Sequence, residues 1–170
     1  ITTPVRVVRH PTGNGFLVLF GTGKYLEGGT VDTGNTDGQS FYGIWDDLTD
    51  RVVTRDQLLP QVVLLADPDG VEFDVRVVSN HAINWGPAPD ADPDADPPPP
   101  PEHLGWYIDL PEDGERVHQP PLTRGGRVIF VTVTPNTDPC LAGGSSWAME
   151  VETKDGSALE RLSPFDYFGT

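Results

Sequence analysis

Glycine and proline punctuate this chain so densely that no long helix fits between them. There are 19 glycines and 18 prolines in 170 residues. The best helical stretch, "DQLLPQVVLLA" from Asp56 to Ala66, is interrupted by Pro60, which removes a backbone donor and clashes with the preceding turn. Between the breaks lie short β-branched and aromatic runs bounded by Gly, Asn, Asp and Pro, the pattern of an all-β chain. The predicted strands are Val5–Arg9, Phe16–Gly21, Ser40–Asp46, Val62–Ala66, Glu72–Ser79, Trp106–Leu110, Arg127–Thr134 and Ser146–Glu152. "ADPDG" before "VEFDVRVVS" reads as a hairpin turn. The alternation of Phe73, Val75 and Val77 with Glu72, Asp74 and Arg76 predicts a buried valine face and a wet arginine face.

An internal echo narrows the architecture. "GFLVLFGTGKYLEGG" followed by "GQSFYGIWDDLTDRVV" parallels "GRVIFVTVTPNTDPCLAGG" followed by "SSWAMEVETKDGSALERL". In each passage a glycine opens a β-rich run, a Gly-rich loop follows, and the next strand carries an early aromatic, Phe41 or Trp147. Repeated small antiparallel sheets are how propeller blades read. The expectation is one β region over residues 1–170 made of antiparallel blades, part of a larger propeller. The abrupt start at "ITTPVRVVRH" suggests a mature product or an excised segment. An acidic, proline-rich insertion at residues 87–103 is expected to be an exposed or disordered loop. Its flanks, "SNHAINWG" and "GWYIDLP", read as an antiparallel pair.

The net charge of −15 argues against a nucleic-acid partner, whose phosphates need clustered Lys and Arg. Cys140 is the sole cysteine, so it is a small buried residue or pairs outside this segment. "FGTGKYLEGG" has the look of a nucleotide loop around Gly21, Gly23, Lys24 and Tyr25. A Walker loop, however, needs Gly where Val18 stands and Ser or Thr where Tyr25 stands; a dinucleotide loop needs Gly at Leu26. The stretch therefore reads as a tight turn at a strand end, and no nucleotide is expected. The four histidines are dispersed, and no nucleophile elbow or acid–base set is apparent.

Two loops carry carboxylates at calcium-like spacing. Asp92, Asp94 and Asp96 follow a 1-3-5 pattern, but Pro97 and His103 occupy the places of the required Gly and closing Glu. Asp32, Asn35 and Asp37 precede Gly38 without a closing carboxylate. Both read as solvated loops, so these six residues are weak metal candidates.

Taken in order, "VLFGTGKYLE", "QSFYGIWDD", "FDVRVVS", "GWYIDLPEDGERV" and "GGRVIFVTVTPNTDPCLAGGSSWAMEVE" span nearly the whole chain. They resemble the C-terminal propeller region of PilY/PilC-type proteins, the type IV pilus-associated adhesin and biogenesis factors. The signature positions are Gly21, Gly23, Lys24, Tyr25, Trp45, Trp106, Asp138, Cys140 and Trp147, in structural roles. The resemblance implies a quinoprotein-like propeller without an assigned enzymatic reaction. It also implies export to the cell surface, outer membrane or pilus tip. The implied role is pilus biogenesis, surface attachment and twitching motility. Minor pilins or other pilus subunits, and a host or abiotic surface, are the implied partners. No cofactor is implied in this segment. Calcium is possible in the parent protein, where some members use an aspartate loop to control retraction. The acidic insertion is the main departure from the family pattern.

Overall fold

β-Branched and aromatic runs separated by glycine turns fold here into antiparallel meanders. The computed structural model describes residues 3–25, 34–66, 75–87, 91–92, 94–97, 99–136 and 143–159. The strands are β1 (Arg6–Arg9), β2 (Phe16–Gly21), β3 (Ser40–Asp46), β4 (Leu59–Gln61), β5 (Val63–Ala66), β6 (Val75–Val78), β7 (Gly105–Asp109), β8 (Leu122–Arg124), β9 (Arg127–Pro135) and β10 (Gly144–Glu152). A 3-10 turn, Arg55–Gln57, precedes β4. Among the described residues the sheets run β1-β2-β3-β7-β4, β10-β9-β8 and β5-β6.

Both halves of the sequence echo are three-stranded antiparallel meanders, β1-β2-β3 and β8-β9-β10. Their inner faces meet in one core. Phe41 of β3 stacks on Phe130 of β9 with ring centroids 3.9 Å apart and planes 4° off parallel. Leu17, Leu19, Ile108, Val128, Met149 and Val151 bury around them, each contributing about 1.5–3 kcal/mol of burial.

Trp106 of β7 fills the seam between the sheets with no solvent exposure. It lies opposite Gly43 of β3, where a Cβ would come within 2.5 Å of the indole. On the other side a Cβ on Gly156, which sits at φ +69, would stand 2.3 Å from the same ring. The indole N–H donates to the Thr153 carbonyl at 3.2 Å. The two glycines thus form the slot that the largest side chain of the core occupies.

Three local expectations are corrected or extended. "GWYIDLP" does not pair with the 79–86 flank; β7 lies between β3, antiparallel, and β4, parallel. The insertion is instead closed at its base by Glu102 N–H donating to Gly86 O, His103 N–H to Asn84 O, and a Pro87–Pro101 bridge. The second is an addition: the stretch that Pro60 interrupts forms the 3-10 turn and an unexpected strand, β4, ahead of β5, which matches the expected Val62–Ala66 strand. Pro60 is tolerated because β4 is an edge strand with Pro60 exposed, where a missing N–H breaks no ladder.

The third correction reverses the faces of β6. Val75 and Val77 are 38% and 40% exposed, whereas the Arg76 side chain is 1% exposed. The cause is a set of carboxylates waiting on the inner side, described below. Phe73, Glu72 and Asp74 lie outside the described residues.

His10, just after β1, is 2% exposed. Its ring stacks on Trp45 at 4.3 Å and meets Trp85 edge-on at 4.3 Å. Nδ1 is bonded by Thr12, through its hydroxyl at 2.8 Å and its backbone N–H at 3.3 Å, while Nε2 is buried and without a partner among the described residues. Burial pulls the imidazole from 6.5 down to about 4. The fold therefore holds it neutral while the unfolded chain protonates it, so its contribution is complete above pH 6.5 and lost as pH falls towards 4. The loss should approach about 3 kcal/mol at about 1.4 kcal/mol per pKa unit. Urea midpoints at pH 7 and pH 4 check this: the native chain should lose more stability than His10→Phe, and equal losses contradict it.

Candidate functional site

The "FGTGKYLEGG" turn is held by Arg116, which sequence reading did not single out. Arg116 is 3% exposed and donates to the carbonyls of Gly114 (2.9 Å), Lys24 (2.8 Å) and Asn35 (2.8 Å). Gly21 and Gly23 make room for this staple. A Cβ on Gly21 would lie 2.2 Å from Val117, and one on Gly23, at φ +120, would lie 2.4 Å from Arg116 Cβ. Thr22 O accepts from Val117 N at 3.1 Å. The turn is thus occupied by the protein's own backbone and an arginine. Lys24 and Tyr25 are exposed, and the Tyr25 ring tilts against His118 at 5.6 Å. Leu26 and the rest of the stretch lie outside the described residues.

Of the oxygen-rich loops, Asn35 and Asp37 bond each other: the Asp37 N–H donates to Asn35 Oδ1 at 2.8 Å and Asn35 Nδ2 to Asp37 Oδ2 at 3.2 Å. Asp92 turns back on its own loop, its Oδ1 accepting from Asp94 N at 2.9 Å. Asp92, Asp94 and Asp96 are exposed. Among the described residues no group of three His, Cys, Asp or Glu side chains is placed to share one ion. Asp32, Asp138 and Cys140 lie outside the described residues.

Trp147 leads to the most heavily bonded polar cluster. The Arg76 guanidinium lies 4.0 Å over its ring and reaches Glu112 and Glu115, each at 2.5 Å. Glu115 is fully buried. Glu112 accepts from Trp147 Nε1 (2.9 Å), Thr134 Oγ1 (2.8 Å) and Ser145 Oγ (3.2 Å). Burial pushes the Glu112 carboxyl up, but the Thr134 and Trp147 hydrogen bonds and the Arg76 charge outweigh it and hold it below its ordinary range. One arginine on β6 thereby ties the 112–115 turn to β9 and β10.

A second cluster lies on the outer face of the five-stranded sheet. Arg55 covers the Tyr107 ring at 3.9 Å and bonds Tyr42 Oη (2.8 Å) and Asp109 (2.5 Å). Gln61, 2% exposed, satisfies its whole amide. Nε2 donates to the carbonyls of His81 and Asp155, while Oε1 accepts from Ser79 Oγ and His81 N. The structure thus places Gly21, Gly23, Trp45, Trp106 and Trp147 in packing or bonding networks. It does not gather them into one site.

Known proteins give this arrangement its context. The family model described as "PilY1 beta-propeller domain" matches residues 1–66. The type IV pilus biogenesis factor PilY1 of Pseudomonas aeruginosa strain PAO1 is 31% identical over 92% of this chain, which spans 14% of that protein. A PilY1 homologue from Xylella fastidiosa is 29% identical over 93% of the chain and 10% of its own length. The crystal structure of the P. aeruginosa PilY1 C-terminal domain superposes with a TM-score of 0.73 at 29% identity, covering 92% of this chain and 32% of that one. In sequence and fold alike, the chain corresponds to the C-terminal β-propeller region of the PilY-type type IV pilus biogenesis factors.

Proposed function

We propose that this segment serves type IV pilus biogenesis as a non-enzymatic scaffold within a longer, exported protein at the cell surface, outer membrane or pilus tip. The observation that carries the reading is the 31% identity to a type IV pilus biogenesis factor across 92% of the chain. The networks around Arg76, Arg116 and Gln61 support it, because each fixes one loop or strand against another. On this reading the loops at residues 28–38, 87–103 and 134–145 meet minor pilins or other pilus subunits, or a host or abiotic surface, and so support attachment and twitching. Deleting the parent gene should abolish surface pili and attachment. A deletion strain with normal pili, twitching and adhesion refutes the reading.

Calcium control of retraction, on this reading, belongs to other parts of the parent protein. Asp92 and Asn35 use their side-chain oxygens to cap their own loops. Calorimetry of this chain with millimolar Ca²⁺ should therefore give no binding heat. A saturable calcium isotherm would move the regulatory role into this segment.

A further inference from the structure

The sequence has 11 Lys and Arg against 26 Asp and Glu, and the cations are unevenly placed. Arg51, Arg55 and Arg76 are engaged by carboxylates, and Arg116 by backbone carbonyls. Arg9, Arg124, Arg127 and Lys154 all line one groove of about 360 Å³. It runs between the end of β1 and the β8–β9 hairpin, with the side-chain-free Gly125–Gly126 turn on its wall. Arg6 ties the two banks together, its Nε donating to Thr123 Oγ1 at 3.1 Å. Glu152 also lines the groove, and Glu150 holds Arg127 at 3.0 Å. Arg9 and Arg124 are exposed and form no ion pair among the described residues.

We propose that this groove binds an extended polypeptide segment bearing spaced carboxylates, laid along β1. Two observations choose a peptide over a small oxyanion. The cations come from separate elements, β1, the β8–β9 hairpin and the turn after β10, and so line the groove along its walls. In addition, among the described residues β1 is the edge of its sheet and pairs with β2 alone, so its other side presents a ladder to an incoming strand. An extended segment puts every second side chain on one face, which lets alternate aspartates meet Arg9 and Arg124 while its backbone pairs with β1. The competing role for these arginines is to deter edge pairing by charge alone, and the two roles differ in outcome.

The test is fluorescence anisotropy of the chain with a labelled, capped peptide alternating aspartate and valine. Its asparagine counterpart and inorganic phosphate serve as controls. The aspartate peptide should bind, and Arg9→Glu with Arg124→Glu should weaken it at least about 10-fold, as should raising salt from about 50 to about 500 mM. Arg124→Gln alone gives an intermediate loss and guards against misfolding of the double variant. No binding, binding unchanged by the charge reversals, equal binding of the asparagine peptide, or full displacement by equimolar phosphate each overturns the proposal.

Discussion

Arg76→Met is expected to lower the unfolding free energy by about 3–5 kcal/mol, the usual cost of leaving a buried charge unpaired. The Arg76 side chain is 1% exposed and Glu115 fully buried, so water cannot replace the lost guanidinium. Removing the ion cluster as a whole should cost much less, because the penalty lies in the orphaned carboxylates more than in the lost pair. Arg76→Met combined with Glu112→Gln and Glu115→Gln should therefore recover part of the loss. Urea unfolding followed by tryptophan fluorescence reads both. A single-variant loss under about 1 kcal/mol, the range of an exposed pair, would show that the cluster is solvated in solution.

Trp106→Ala should be comparably severe, at about 3–5 kcal/mol for truncating a fully buried tryptophan. Trp106 spans the seam between the two meanders, and its loss opens a void beside the Phe41–Phe130 stack. Gly156→Ala attacks the same slot from the other wall. Its Cβ would stand 2.3 Å from the indole, at a φ of +69 that favours glycine. Both variants should lower the urea midpoint, and an unchanged midpoint in Gly156→Ala would contradict the slot.

What the sequence disclosed follows from where the physics is local. Strands such as Phe16–Gly21 and Ser40–Asp46 were legible to the residue, because their apolar runs and bounding turns are contiguous. β4 was hidden by Pro60, which rules out a helix yet sits without cost on a sheet edge. The inversion of β6 was illegible for a different reason. Alternation placed Val75 and Val77 inside, but the partners that draw Arg76 in, Glu112, Glu115 and Trp147, lie far along the chain. Arg116 escaped notice likewise, because its acceptors are backbone carbonyls at Lys24 and Asn35, which no side-chain motif records. In the sequence the glycines beside Lys24 read as a strand-end turn rather than a phosphate cradle. The close approach of Val117 and Arg116 supplies the reason they are glycines.

On the proposed function, this propeller segment supports pilus biogenesis as a folded scaffold. Its most direct test is a count of surface pili in a strain whose parent gene carries Trp106→Ala, beside the unaltered gene and the deletion. Few or no pili are expected for the variant, as in the deletion, and normal numbers for the unaltered gene. Normal piliation in the Trp106→Ala strain, with the segment shown to be unfolded, would contradict it.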